Sequence, residues 1–148
     1  MVGFRFEKVL LGGEEEIRFH REHLWKMSQE QLPSLSPGFR FAACNLVVRD
    51  QKGEAAVGGA YAYSYCGVFF IEMFWIEPKL QRQGLGRRLF AELEAEARKR
   101  GCVRMAGHAF ELNANRGFWE RLGCRVFGET AAPDPLGQVY FIDKELRD

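Results

Sequence analysis

Between Phe69 and Arg88 the chain reads FFIEMFWIEPKLQRQGLGRR, an apolar run interrupted by Glu72, then a proline, then two glycines set among glutamines and arginines. A strand that runs into a Gly-rich turn and opens a helix is a place where a folded chain holds an anion. The first backbone N–H groups of a helix have no partner inside it, and the aligned peptide dipoles put roughly half a positive charge there. Gly84 and Gly86 remove side chains, so amides from about Arg82 to Arg87 can approach a pyrophosphate closely. Arg82, Arg87 and Arg88 crowd the same helix end, where each cation costs about 0.3–1 kcal/mol unless an anion is bound. The plainer alternative is a tight turn with solvated arginines, but strand, proline, turn and helix all agree with an anion site.

Two familiar phosphate motifs do not fit. No Gly-Lys-Ser or Gly-Lys-Thr follows the turn, as a P-loop requires. Gly84-Leu85-Gly86 also lacks the third glycine of a dinucleotide fingerprint, because position 89 is Leu.

The elements that must position this turn follow from periodicity and breakers. Phe4 to Leu10 reads as a strand broken by Gly12 and Gly13, and Glu14 to about Gln29 carries Ile17, Leu24 and Met27 at helical spacing. After a loop over Leu32–Gly38, Arg40 to Arg49 is a strand, Asp50-Gln51-Lys52-Gly53 has hairpin chemistry, and Ala56 to Cys66 returns. A further strand runs from about Val68 to Ile76 and stops at Pro78. Leu85, Leu89, Leu93 and Ala97 recur at i, i+4, i+8 and i+12, which predicts a helix to Arg100 closed by Gly101. Cys102 to Phe110 is strand-like, and Asn113 or Asn115 caps a short helix carrying Phe118, Trp119 and Leu122, stopped by Gly123. Cys124 to Phe127 and Gln138 to Asp143 are the last strands, separated by a loop with Pro133, Pro135 and Gly137. The expected architecture is a single α/β (α+β) domain over residues 1–148, with a mixed sheet of about seven strands flanked by helices.

With these elements in order, the chain resembles the GCN5-related N-acetyltransferase (GNAT) superfamily. Gln81-Arg82-Gln83-Gly84-Leu85-Gly86 matches its Gln/Arg-x-x-Gly-x-Gly/Ala acyl-CoA motif, after the hydrophobic strand and Pro78 that accompany it. Downstream, Asn113-Ala-Asn-Arg-Gly-Phe-Trp-Glu-Arg-Leu-Gly123 is similar to the family's second motif, a short helix reading Phe-Tyr-Glu-Lys-Leu-Gly. The resemblance covers nearly the whole chain and implies a mostly antiparallel sheet whose fourth and fifth strands splay apart.

The resemblance further implies transfer of an acetyl group from acetyl-CoA, with no metal, to an amine that must first lose a proton. The pantetheine arm would pair with the backbone of Phe74, Trp75 and Ile76, with Cys102–Phe110 as the other wall. A backbone N–H of the same strand would polarise the thioester carbonyl. Gln81, Arg82, Gln83, Gly84, Leu85, Gly86, Arg87 and Arg88 would hold the pyrophosphate, and Asn113, Asn115, Arg116 and Trp119 would face the cofactor. Glu72 is the preferred base, expected in phase with Phe70 and Phe74 and opposite to Met73, where a carboxylate among rings holds its proton more tightly. Its alternative is a salt-bridge partner. His108 is the next candidate, or a structural histidine. Family members commonly place a tyrosine where this chain has Trp119, whose indole donates but is no usable acid. The thiolate therefore leaves unaided, or Tyr140 serves as the acid, or the protein binds acyl-CoA without efficient turnover.

Other constellations point elsewhere. Glu16, His20 and His23 recur at i, i+4 and i+7 but read as a helix face, with no fourth metal ligand. Tyr61, Tyr63 and Tyr65 line one face of a strand, to border an acceptor pocket or to pack. The uncharged run Ala55–Ile71 approaches the length of a membrane helix, about 17–25 residues. Its glycines and alternating tyrosines make two strands of it instead. The four cysteines have no Cys-x-x-Cys pair and suit reduced thiols, and no export signal is visible, so a cytoplasmic location is expected.

The 148 residues carry a net charge of +1, which speaks against a nucleic-acid binder. That balance is uneven. Residues 1–78 and 105–148 each carry −2, and residues 79–104 carry +5, concentrated around one helix. The expected partner is a small-molecule amine, with a peptide or protein amine as the second choice, and no nucleic acid or membrane; a homodimer is left open.

Overall fold

The computed structural model describes residues 5–8 and 12–147. The chain divides into two compact units, residues 1–37 and 38–148. In the first, α1 (Glu14–Gln31) starts at Gly13, whose N–H donates to Glu16 Oε2 at 2.7 Å. Glu14, Glu15 and Glu16 fill the first turn, where carboxylates suit the helix dipole. The spaced apolar residues Ile17, Leu24 and Met27 are exposed, and the buried side chain of this helix is Trp25. Of the strand expected over Phe4–Leu10, Arg5–Lys8 are irregular and exposed, while Phe4, Val9 and Leu10 lie outside the described residues.

The second unit contains a six-stranded sheet formed by β1 (Ala42–Arg49), β2 (Ala56–Tyr65), β3 (Val68–Ile76), β4 (Arg104–Phe110), β5 (Arg125–Ala131) and β6 (Gln138–Glu145). Its strand order is β1-β2-β3-β4-β6-β5, antiparallel throughout except for the parallel pair β3 and β4. The mixed, mostly antiparallel sheet is thus as expected, with six strands among the described residues in place of about seven.

The turns are made by the residues that can make them. Asp50 Oδ1 accepts from the Glu54 N–H at 2.8 Å in the β1–β2 turn. Cys66 and Gly67 join β2 to β3 with φ of 49° and 78°, the two positive values that a tight two-residue hairpin needs.

The helix α2 (Leu85–Lys99) lies between β3 and β4 in sequence and buries Leu89, Phe90, Leu93 and Ala97. These meet Ala60, Ala62, Phe69, Ile71, Met105 and Ile142 from one face of the sheet. The short helix α3 (Arg116–Arg121) adds Trp119 to the same core. All four cysteines are free. Cys44, Cys102 and Cys124 are buried, and burial raises each thiol pKa, that of Cys124 to about 11. Cys66 departs from the strand-like setting expected of it: it is exposed in the hairpin turn. Among the described residues, no helix is long and apolar enough to cross a membrane.

Candidate active site

β3 and β4 pair at four positions only, from Val68↔Arg104 to Ile71↔Gly107. β3 continues to Ile76 against β2, and β4 continues to Phe110 against β6. Glu72–Ile76 and His108–Phe110 therefore flank an open split in the sheet, in which the edge of β3 has no ladder partner. A bulge sits at the branch point: Ala62 pairs with Ile71 and Tyr61 with Met73, so Glu72 is the extra residue. Bulges bend and twist the strand that carries them, and this one lies just where the two strands part.

The bulge also corrects the expected phase of Glu72. Before it, Phe69 and Ile71 face the helices; after it, Phe74 does, packing against Phe118 and Trp119 with ring centroids 6.0 and 5.4 Å away. Phe70 stacks on Tyr63 of the other face, so Phe70 and Phe74 are not in phase. Two residues between core-facing Ile71 and core-facing Phe74 must lie together on the opposite side. Glu72 and Met73 share that side, and both are exposed. Glu72 is therefore not enclosed among rings, as the unbroken alternation had suggested.

The split thus has two faces. Phe74, Ala109, Tyr140 and Trp119 belong to the face covered by α2 and α3, since Ala109 pairs with Tyr140 and all join the same core. His108, exposed and paired with Phe141, is on the face with Glu72. The last ladder pair is Ile71↔Gly107, so Glu72 and His108 stand at the first unpaired level of the two strands. The two base candidates are brought together, and Tyr140 is separated from them by the sheet.

The turn from β3 to α2 leaves the N-terminus of α2 open. Gly84 caps α2 with φ 86° and ψ −3°, no side chain caps the helix, and its first turn holds no acidic residue. A Cβ on Gly84 would meet nothing within 4 Å, so the glycine is there for its backbone angle and the open space above it. Gly86 has a different reason: a Cβ there would stand 3.2 Å from the Phe118 ring, so its absence lets α3 approach α2. Arg82 holds φ 61°, a strained angle for a non-glycine residue, which costs about 1–2 kcal/mol. Arg82, Arg87 and Arg88 are exposed, and their guanidinium groups have no ion pair or hydrogen bond among the described residues.

Some expected contact residues carry structural duties. The Gln81 side-chain amide donates to the Ile76 carbonyl at 3.1 Å, which ties the turn to the end of β3, and the Gln83 amide donates to Lys79 O at 3.3 Å. Leu85 is half-buried at the start of α2. Asn115 caps α3 by accepting from the Phe118 N–H at 2.9 Å. The Arg116 guanidinium is paired with Glu120 at 2.6 Å and with Glu129 at 3.9 Å, and Asn113 is exposed in the loop before. Trp119 is buried, and its indole N–H has no acceptor among the described residues.

Tyr140 has a neighbour the sequence did not reveal. Burial, and then the Glu111 carboxylate beside it, pushes the Tyr140 hydroxyl above its ordinary value. Glu111 is itself held by the Gln138 N–H at 2.8 Å. The two residues are far apart in the chain and meet because β4 and β6 pair, so no local pattern joins them. Among the tyrosines of β2, Tyr63 packs between Phe41 and Phe70 at 4.5 and 5.1 Å. In α1, His23 Nδ1 is 2.7 Å from the Phe19 carbonyl oxygen.

Known proteins resemble this chain in sequence and in fold. The sequence model of the acetyltransferase (GNAT) family matches residues 11–124. Blasticidin-S acetyltransferase of Streptomyces morookaense is 29% identical over 97 residues, which cover 65% of this chain and 70% of that protein. An acetyltransferase of Agrobacterium fabrum is 24% identical over 102 residues, covering 69% and 73% of the two chains. In fold, an acetyltransferase structure from Bacillus cereus superposes with a TM-score of 0.70 at 22% identity, covering 95% of this chain and 98% of its own.

Proposed function

We propose, from the premise that the chain belongs to the acetyltransferase (GNAT) family, that it transfers an acetyl group from acetyl-CoA to a primary amine of a small molecule, directly within a ternary complex. The observation that carries this reading is the conjunction of the β3/β4 split with the open, positively charged N-terminus of α2 beside it. Acetyl-CoA supplies an activated thioester. The chain's own groups suit it: unpartnered arginines and first-turn N–H groups for the pyrophosphate, and the free edge of Phe74–Ile76 for an extended amide-bearing arm.

Each remaining step is given to a residue of the split. Glu72, with His108 at the same level, takes the proton from the acceptor ammonium, directly or through water, so that the free amine can attack. A backbone N–H of Phe74–Ile76 holds the carbonyl oxygen as negative charge builds on it. On the other face the Tyr140 hydroxyl keeps its proton across the neutral range and donates a hydrogen bond to the departing sulfur. A thiolate whose parent thiol has a pKa near 8.5 needs little more help to leave. The free thiols suit a reducing, cytoplasmic setting.

The rival reading, an acyl-CoA-binding module without turnover, draws on Trp119, which stands where the resemblance leads one to expect a tyrosine hydroxyl and whose indole N–H can donate a hydrogen bond but is no usable acid. A panel of primary amines, with release of free CoA thiol as the readout, separates the two. Steady release that falls at least tenfold in Glu72→Gln supports the enzyme, whereas tight acetyl-CoA binding without release across the panel supports the module. Blasticidin-S acetyltransferase, 29% identical over its matched residues, is named for a small-molecule acceptor, which supports opening the panel with small-molecule amines.

A further inference from the structure

We propose that the indole N–H of Trp119 is a hydrogen-bond donor kept for the cofactor, and that it binds an amide carbonyl oxygen of the pantetheine arm. This deepens the acetyl-CoA reading and rests on it for the identity of the arm.

Trp119 is 3% exposed, and its Nε1 is enclosed with no acceptor among the described residues. A buried N–H without a partner is rare in a folded protein, because the donor gives up water and gains nothing to bond to. The surroundings of this one are rings: Phe74, Phe90 and Phe118 have centroids 5.4, 6.5 and 4.9 Å from that of the indole. None carries a conventional acceptor, and a trapped water would need about two to four polar partners there. The rest of α3 is provided for. Asn115 accepts from the Phe118 N–H at 2.9 Å, and the Trp119 carbonyl accepts from the Leu122 and Cys124 N–H groups at 3.1 and 3.0 Å. Packing alone would be served by a phenylalanine, which fills an apolar site and brings no donor to satisfy.

The position of the indole says where its partner comes from. Phe74 lies on the stretch of β3 beyond Ile71, whose edge has no ladder partner, so its contact with Trp119 sets the indole beside the split. Phe90 is buried and Phe74 is half-buried, so the approach from the split runs past Phe74. A Cβ on Gly86 would stand 3.2 Å from the Phe118 ring, and this close contact fixes α3, and the indole with it, against the start of α2.

The chemistry of the donor selects the atom it holds. An indole N–H donates and cannot accept, which excludes the ammonium of the acceptor. The arm brings two amides and a sulfur. Sulfur is a weak acceptor, and the proposed function already gives it Tyr140; an amide carbonyl is a strong one. An amide that leaves water for the split must find partners inside it. The free edge of Phe74–Ile76 offers backbone groups, and Trp119 offers a side-chain donor on the helix side.

The indole proton provides a readout that does not depend on activity. In isotope-labelled protein the proton–nitrogen NMR spectrum has one indole cross-peak for each of Trp25, Trp75 and Trp119, and that of Trp119 is the one missing from Trp119→Phe. The probes are acetyl-CoA, desulfo-CoA, which keeps both amides and lacks the sulfur, and 3′-phospho-ADP, which keeps the phosphates and lacks the arm. The Trp119 indole proton should move downfield with desulfo-CoA as it does with acetyl-CoA, and stay in place with 3′-phospho-ADP. In Trp119→Phe the affinity for desulfo-CoA, measured by calorimetry, should fall about tenfold while that for 3′-phospho-ADP holds. A proton that moves with acetyl-CoA alone, with none of the three, or as far with 3′-phospho-ADP overturns the proposal. So does an equal loss of affinity for both ligands in Trp119→Phe, which would mark a structural role. The backbone cross-peaks of Gly84 and Gly86 keep the two readings apart: if they move with none of the probes, no part of CoA binds, and the acetyl-transfer reading falls and takes this one with it.

Discussion

The two ends of α2 use the same residue in opposite ways. At its C-terminus Arg98 donates to Glu94 at 3.0 Å and to the Leu146 carbonyl at 2.6 Å. Arg100 donates to Glu96 at 2.8 Å, to Ala42 O and Ala43 O at 2.7 and 3.0 Å, and to Ser64 Oγ at 3.1 Å. These cations stand where the helix dipole favours them, and one guanidinium ties the helix to both β1 and β2. At the N-terminus Arg82, Arg87 and Arg88 stand where the dipole disfavours them, without a carboxylate or carbonyl to answer them. Arginine at the first end is bound into the fold; at the second it is exposed, and the proposed function gives it an anion to hold. The difference separates scaffold from site along 15 residues of one helix.

The sharpest test acts on the N-terminal end alone. Gly84→Asp puts a carboxylate into the open space above the helix and a side chain at φ 86°. Acetyl-CoA affinity, measured by calorimetry, should fall at least about 100-fold, equivalent to about 2.7 kcal/mol. Thermal stability should drop by only a few degrees, because the backbone cost of about 1 kcal/mol is partly offset by an acid near the dipole's positive end. At the opposite end, Arg100→Ala leaves two carbonyls, a hydroxyl and Glu96 without their donor. The unfolding free energy in urea should fall by about 2–3 kcal/mol, with acetyl-CoA affinity unchanged. If Arg100→Ala instead lost affinity while keeping stability, the division of the helix would be wrong.

How much of this the chain disclosed beforehand depends on the range of the interaction. The turn into α2, its apolar stripe and the Gly101 closure are local patterns, and each was legible. So was the Asn115 cap, one of two residues named for that duty. The bulge was not. Phe69 to Trp75 is apolar at nearly every position, so either phase of alternation fits and nothing in the residue types marks Glu72 as the extra one. The pairing of Glu111 with Tyr140 and the reach of Arg100 across to β1 depend on which strands meet, and that is settled by the sheet rather than by the neighbours of each residue. Gly86 was read for close approach to a pyrophosphate, and the contact that the structure gives it is with Phe118 of a different helix.

A milder perturbation inverts the usual expectation for removing charges. Replacing Arg82, Arg87 and Arg88 together by alanine deletes cations that no described group pairs with. Acetyl-CoA affinity should fall about tenfold, or about 1.4 kcal/mol, and should depend less on salt than in the parent. The unfolding free energy should hold or rise, by up to about 0.3–1 kcal/mol per arginine removed from the unfavourable end of the dipole. A loss of stability would mean that these arginines serve the fold as Arg98 and Arg100 do.

The smallest effect is the response to acid, and it should belong to the scaffold side only. The hydrogen bond from Arg100 holds Glu96 below the usual carboxylate range. The hydrogen bond from Arg125, seconded by Arg104, does the same for Asp143, which bridges β4, β5 and β6. A carboxylate depressed in the folded state contributes its full stability above its unfolded value, about 3.9 for Asp and 4.3 for Glu. That contribution is lost as pH falls through the folded value. The urea midpoint should therefore stay level from about pH 8 to pH 5 and decline below about pH 4. Asp143→Asn and Arg100→Ala should each flatten part of that decline. The triple arginine variant at the other end of α2 should leave its slope untouched, because no carboxylate there gains from folding; a flattened slope in that variant would show that the N-terminal arginines are paired in solution after all.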